Sequence, residues 1–212
     1  ADLLFKRGQA LRSLGRWEEA LADWREALHI YEELGDAGAV GRISADISTQ
    51  LAWGARFEES LEIGRRGLVA LGEGVSAERC RLLGLVVRAL SIAGQYAAGS
   101  STLAQSLAMA EEVGDQRLLG EILDYKTRHH FYHMQYPEAV DAGMRAAELL
   151  RSAGDLWNLA DALWPAQWSL LRLGRLDEAA KIGQELEPLA ASVGHLGALL
   201  LARAVRASRE LM

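Results

Sequence analysis

One period of about forty residues runs through the chain and constrains its fold more than any other feature. Five short segments each place a large apolar residue three positions before a small one. The small residues are Ala20, Ser60, Gly99, Ala139 and Ala179, so the intervals between them are 40, 39, 40 and 40 residues. In repeat proteins each unit buries its apolar face against its neighbours. The sequence therefore predicts a stack of similar units.

A second series with the same period marks the end of each unit. It consists of Gly35, Gly74, Gly114, Gly154 and Gly194. Glycine often follows the last residue of a helix because it adopts the left-handed conformation without a Cβ clash. Apolar residues before these glycines recur at helical spacing, as at Leu21, Trp24 and Leu28. Each unit is thus predicted to hold a first helix of about 13 residues, a tight turn and a second helix of about 17.

The two series divide the chain into helix pairs within a single domain. The pairs are predicted at residues 1–36, 37–75, 76–115, 116–155 and 156–195, with a final helix at 196–211. Prolines and β-branched runs are few, so we predict an all-α protein of about eleven helices. Because the final helix lacks a second helix to cover it, we expect self-association there or further repeats. A chain that begins at Ala1 is expected to be a fragment of a larger protein.

The first unit resembles a tetratricopeptide repeat. The residues at that family's signature spacings are Leu4, Gly8, Leu11, Gly15, Trp17, Ala20, Trp24 and Ala27. The resemblance implies a right-handed superhelical α-solenoid of antiparallel helix pairs. The period of about forty exceeds the family's usual 34 residues. In this respect the chain is similar to long-repeat members in bacterial multidomain regulators, namely signal-transducing ATPases, LuxR-like activators and nucleotide cyclases.

Two signature positions depart from the family pattern after the first unit. The position of Gly8 holds Ser48, Val87, Thr127 and Gln167 in later units. The position of Trp24 holds Gly64, Leu103, Gly143 and Gly183. The match is therefore strongest in the first unit and looser in the other four.

The resemblance also implies a binding surface, because first helices of this family line a concave groove. Carried over by position, the residues of the partner-binding groove are Phe5, Gln9, Arg12, Arg42, Thr49, Trp53, Arg81, Arg88, Asp124, Arg128, Phe131, Tyr132, Trp164, Trp168 and Arg172, with Glu121 and Asp161 beside them. Arg88, Arg128 and Trp168 occupy equivalent positions, so we predict an exposed row that suits an acidic segment followed by an apolar residue. Asp124, one turn before Arg128, is expected to orient that guanidinium. Alternatively, some of the aromatic residues belong to the core.

Charge and motifs argue against several function classes. The net charge is −6, with 23 basic and 29 acidic residues, so nucleic acid is not expected as a partner. No apolar run approaches the roughly 18 residues that span a bilayer. One cysteine, Cys80, cannot form an internal disulfide and favours the cytoplasm. No Walker lysine, Gly-x-Ser-x-Gly elbow or His-Glu-x-x-His motif occurs, so we expect neither enzymatic activity nor a cofactor.

The most unusual stretch contains His129, His130 and His133. Two imidazoles one helical turn apart can hold a transition metal if further ligands come from elsewhere. Because histidines titrate near neutral pH, a local response to pH is a further possible role of this cluster. Packing against aromatic residues of the neighbouring unit, or simple exposure to solvent, is the interpretation we favour, and no metal site is predicted.

Two functions from different classes fit these observations. We predict a non-catalytic protein–protein interaction scaffold, which docks a partner or another domain of its parent regulator in the concave groove. The partner is expected to be a protein or peptide that carries acidic residues. The alternative is a ligand-sensing regulatory domain, in which the solenoid wraps a small molecule and changes its curvature.

Overall fold

The computed structural model describes residues 1–210, with side chains through residue 208. This part of the chain forms eleven α-helices and no strand. The helices are α1 (Asp2–Ser13), α2 (Trp17–Leu34), α3 (Ala37–Trp53), α4 (Phe57–Leu71), α5 (Ala77–Ile92), α6 (Tyr96–Val113), α7 (Gln116–Tyr132), α8 (Tyr136–Ser152), α9 (Leu156–Arg172), α10 (Leu176–Ser192) and α11 (Leu196–Glu210). The predicted all-α solenoid of helix pairs is confirmed. Position 211, where the final helix was predicted to end, lies outside the described residues.

The turn within each pair contains one residue in the left-handed conformation. These residues are Gly15, Ala55, Gly94, Met134 and Gly174, with φ between 59° and 74°. The amide after each one donates back into the first helix, as from Arg16 to the Leu11 carbonyl at 2.9 Å. This bond closes the end of the first helix. The five turns therefore share one geometry, although in two of them the left-handed residue is not a glycine.

The junction between pairs combines a helix-ending glycine with a helix-starting acid. Gly35, Gly114 and Gly154 have positive φ. The aspartates that follow them accept hydrogen bonds from backbone amides at the starts of α3, α7 and α9. A side-chain acceptor at this position satisfies amides that have no partner within the helix. The prediction of Gly74 as the end of the second pair is wrong, because α4 ends at Leu71 and Gly72 takes the positive φ.

First helices are longer than the spacing predicts. α3, α7 and α9 each contain 17 residues, whereas α1 contains 12. The turns and junctions are short, so most of the forty-residue period is helical. The five predicted small positions are all buried, with Ala20, Ala139 and Ala179 at 0% exposure. Close contact between the two helices of each pair explains their size.

Successive first helices stack along the concave side of the solenoid. α5 contacts α3 and α7, and α9 contacts α7 and α11. The superhelix curves until side chains of its first two repeats contact Trp157 of α9 and His195. Trp53, at the end of α3, lies 4.8 Å from the ring of His195, just before α11. The Arg12 guanidinium lies 5.7 Å from the Trp157 ring of α9. The groove is therefore closed into a central cavity.

None of the helices described for this chain is long and apolar enough to cross a lipid bilayer.

Candidate functional site in the central cavity

The central cavity has a volume of about 410 Å³ and receives side chains from five first helices. Ligand pockets commonly have volumes of roughly 300–1,000 Å³. Residues that the sequence predicts in the groove and that line this cavity are Phe5, Gln9, Arg12, Arg42, Thr49, Arg81, Arg88 and Asp124, with Glu121 and Asp161. Lining residues that the prediction missed are Ala45, Asp46, Glu78, Leu85, Arg117, Tyr125, Asp155, Trp157 and Asn158.

Arginines in the cavity wall pair with acids of the next repeat. Arg81 Nε lies 2.6 Å from Glu121 Oε2, and Arg117 Nε lies 2.6 Å from Asp155 Oδ2. Asp155 also caps α9 through the amide of Asn158. In both pairs the arginine and the acid come from consecutive repeats. These pairs neutralise part of the charge on the wall and tie neighbouring repeats together.

A buried cluster adjoins the cavity and is centred on Arg128, which is 1% exposed. Its Nη2 lies 3.0 Å from Asp124 Oδ2 and forms an ion pair with the Asp161 carboxylate. The same nitrogen donates to the Asp161 backbone carbonyl at 3.3 Å. That carbonyl lacks its usual helical partner, because the residue four positions later is Pro165, which has no amide hydrogen. Arg128 therefore satisfies both the carboxylate and the carbonyl that the proline leaves free.

His195 completes this Arg128 cluster. The His195 Nδ1 atom accepts a hydrogen bond from the Ala198 amide at 3.3 Å. The ring proton of the neutral imidazole is therefore on Nε2, which lies 3.3 Å from Asp161 Oδ1. Burial alone would raise the pKa of Asp161, but Arg128 and His195 outweigh it and hold the pKa below its ordinary value. Burial raises the pKa of Asp124 to about 6, and Arg128 offsets only part of that effect. Asp161 is thus the more acidic of the two carboxylates.

Comparison with known proteins gives the same fold and the same kind of repeat. The profile of the tetratricopeptide repeat family matches residues 1–34. A Rap protein complexed with competence and sporulation factor is similar over 98% of this chain, with a TM-score of 0.76 and 13% identity. The family profile covers the first helix pair, and the rest of the chain shares with the solved structure a fold of helical repeats. The apo form of RapI is similar over 89% of the chain, with a TM-score of 0.58 and 15% identity.

This helical solenoid is shorter than the structures it resembles. It covers 64% of the Rap protein chain and 53% of the RapI chain. No curated protein sequence matches it significantly. At these identities the likeness concerns the fold alone.

The predicted row of exposed residues across the concave groove is wrong. Arg88 and Arg128 are 6% and 1% exposed, so neither guanidinium lies on an open surface. Trp168 is half-buried, and its Nε1 donates to the Leu201 carbonyl at 3.3 Å, which directs the indole to α11. The reason is the strong curvature of the superhelix, which brings distant repeats against residues that a more open groove would expose. The predicted contact between Asp124 and Arg128 is present.

Some of the aromatic residues expected in the groove lie in the core, and Trp53 lies in the contact with His195. Trp164 is 5% exposed, and its Nε1 donates to Asp161 Oδ1 at 3.3 Å. Phe131 packs edge-on against Trp164 with 5.5 Å between ring centroids. Trp53 is half-buried, and the guanidinium carbons of Arg88 and Arg128 lie 5.1 Å and 5.7 Å from its ring centre. None of the three lines the cavity.

Two further predicted residues lie outside the cavity. Tyr132 is half-buried and its ring contacts Phe131. Arg172 is exposed, with its guanidinium carbon 5.9 Å from the ring centre of Tyr136. Both residues lie near the carboxyl ends of first helices. The cavity is instead lined largely from the amino-terminal halves of α5, α7 and α9.

The histidine cluster packs between the third and fourth repeats. The two ring nitrogens of His129 lie 2.8 Å from the Ser91 hydroxyl and 3.0 Å from the Ser100 hydroxyl. Tyr96 stacks on the His129 ring at 4.9 Å. Burial, and then the charges of His133 and His130, lower the pKa of His129 to about 4. Among the described residues, no group of three or more potential ligands is arranged to hold a metal.

Proposed function

We propose that this chain is a non-catalytic docking module that binds an extended segment of a protein partner in its central cavity. The cavity is the observation that carries the proposal, because five first helices direct polar, charged and aromatic side chains into one enclosed space. Pockets of this size with a few convergent polar groups are typical binding sites. The Rap protein with the same fold is complexed with competence and sporulation factor.

The mixed lining suits a peptide better than a strongly charged molecule. Phe5, Tyr125 and Trp157 provide apolar contact area, and Gln9 and Asn158 provide amide groups that can bond a peptide backbone. Most wall arginines are already paired with acids, which limits the attraction for highly charged ligands such as nucleic acid.

The wider context of the module is also a proposal. We place the chain in a larger bacterial regulator, where the cavity holds another domain or a partner of that regulator. Its basic residues, of which only Lys6, Lys126 and Lys181 are lysines, fit a GC-rich bacterial genome. A cytoplasmic location fits a chain whose only thiol, Cys80, is buried.

A ligand-sensing domain is the second candidate function. The observation that favours it is the contact between Trp53 and His195, which holds the superhelix closed. A ligand that bound this closed arrangement more tightly than a more open one would shift the protein towards it. A small metabolite that bound only the closed state would raise the melting temperature. A docking module predicts no such response to a metabolite.

Peptide selection with cavity-blocked variants tests the docking proposal. Acetylated random pentapeptides are equilibrated with the protein, and the retained peptides are identified by mass spectrometry. Gln9→Trp and Thr49→Trp fill the cavity from two helices and should reduce retention by about tenfold or more. Ala104→Trp, on the exposed side of α6, is the matched control and should retain peptides like the unaltered chain. Equal retention by the folded cavity variants would show that the partner binds elsewhere.

A further inference from the structure

Arg88 is a buried cation without a counter-ion. The side chain is 6% exposed, and its Nε atom has no hydrogen-bond partner. No ion pair to Arg88 is found within residues 1–208. Its guanidinium carbon lies 5.1 Å from the ring centre of Trp53, and the residue lines the central cavity. A charge removed from water without a partner is unfavourable, so this arrangement is unusual for a purely structural residue.

Acids around Arg88 are committed to other groups. Asp124 and Asp161 are both held by Arg128, and Asp161 also faces His195. Glu121, further along the wall, pairs with Arg81. The charge of Arg128 repels that of Arg88, and the charge of Asp161 attracts it. Within residues 1–208, Arg88 therefore has no ion-pair partner of its own at the cavity.

We infer that Arg88 is the binding residue for a single carboxylate of the segment that occupies the cavity. A planar guanidinium bonds a carboxylate through two parallel N–H donors. The Trp53 ring supports the guanidinium plane from one side. Arg128, Arg81 and Arg117 already have acidic partners, so Arg88 is the buried arginine at the cavity that is left to bind a carboxylate. This inference rests on the proposed docking function and specifies its ligand.

Four pentapeptide pools distinguish the source of the carboxylate. Two pools contain aspartate and glutamate and two exclude them, and each kind is made with a free or an amidated carboxyl terminus. The unaltered chain should prefer the acid-containing pools or the free-terminus pools by about tenfold or more. Arg88→Met should lose that preference and still retain neutral peptides, whereas Arg88→Lys should keep part of it. Preference that survives in Arg88→Met would overturn the inference.

A simple carboxylate gives a readout that does not depend on peptide sequence. Melting temperatures are compared in equal concentrations of sodium acetate and sodium chloride. Acetate should raise the melting temperature of the unaltered chain and leave that of Arg88→Met unchanged. Without ligand, Arg88→Met should melt at the same temperature as the unaltered chain or higher, because it removes an unpaired buried charge. A clearly lower melting temperature for both Arg88→Met and Arg88→Lys would make Arg88 a structural residue.

The two proposals fail in different ways. Retention of no peptide from any pool would contradict the docking function, and the acetate comparison would still decide whether Arg88 binds a carboxylate. Retention without preference for a carboxylate, together with no acetate effect, would contradict only the role of Arg88.

Discussion

At the scale of single residues, one guanidinium connects three repeats. Arg128 belongs to the fourth repeat, binds Asp161 of the fifth and lies 5.7 Å from the ring centre of Trp53 in the second. Buried ion pairs contribute little net stability compared with apolar packing, but the loss of one member leaves the other charge unpaired. In this protein the loss would leave two carboxylates and the carbonyl freed by Pro165. We therefore expect Arg128 to stabilise the fold, and its buried guanidinium is not available for binding.

Replacement of Arg128 tests this assignment. Arg128→Met should lower the free energy of unfolding by about 3–5 kcal/mol, because it strands Asp124 and Asp161 in the interior. Chemical denaturation measures the change. Arg172→Met, at an exposed arginine of the next first helix, should change it by less than about 0.5 kcal/mol. Similar midpoints for both variants would mean that Arg128 is accessible to water.

The residue-scale predictions from sequence succeeded only for local contacts. The pair of Asp124 and Arg128 follows from a separation of four positions on one helix. Burial of Arg88 and Arg128 depends on Trp53 and Asp161, which come from other repeats. No local pattern encodes such a distance. The one available sign of this ion pair was that Arg128 and Asp161 lie on equivalent faces of consecutive repeats.

At the scale of helices, four of the five pairs set a larger residue against a glycine between their two helices. Trp24 fills the space above Gly8, where an added Cβ would lie 2.3 Å from the indole Nε1. Later repeats reverse the sizes, with Gly64 opposite Ser48, Gly143 opposite Thr127 and Gly183 opposite Gln167. The departures from the family pattern therefore compensate one another across the helix pair, and the spacing between the helices is maintained.

The balance in the first pair can be broken and restored. Gly8→Ala should destabilise the protein by about 1–3 kcal/mol, because the indole of Trp24 must move and lose its hydrogen bond to the Phe5 carbonyl. Trp24→Leu in the same chain should recover part of that loss. Gly64→Ala is the control, since its added Cβ would meet Ser48 Oγ at an ordinary 3.5 Å. The melting temperatures of these three variants and of Trp24→Leu alone are compared. If the double variant loses as much stability as the two single variants together, the pairing of Gly8 with Trp24 is contradicted.

Helix positions follow from the sequence because every signal for them is local. Left-handed turns, capping aspartates and small crossing residues all lie within one unit and repeat in the next. The second repeat departs because α4 ends at Leu71 and two glycines, Gly72 and Gly74, follow in quick succession. Periodicity alone cannot decide between them. The lengths of the first helices were underestimated because apolar spacing does not show how short the turns between helices are.

At the scale of the whole molecule, curvature turns a groove into a cavity. Trp53 belongs to the second repeat and His195 precedes the last helix, and their rings are 4.8 Å apart. His195 also stacks on Trp157 at 4.3 Å. The curvature of a solenoid accumulates from a small rotation at each repeat. A sequence that predicts a stack of helix pairs can therefore still leave open whether distant repeats touch. For this reason the prediction missed the cavity residues Trp157 and Asn158.

Closure of the superhelix is tested most directly by a double-mutant cycle between Trp53 and Gly197. Both positions are far apart in sequence, yet a Cβ on Gly197 would lie 2.3 Å from Trp53 Cζ3. Gly197→Ala should destabilise the protein, whereas Gly38→Ala, also at the second residue of a helix, should not, because its added Cβ would meet Asp36 Oδ1 at an ordinary 3.6 Å. Trp53→Ala should abolish the cost of Gly197→Ala, which gives a coupling energy of about 1–3 kcal/mol in chemical denaturation. A coupling energy of zero would show that the ends do not meet and that the concave side is an open groove.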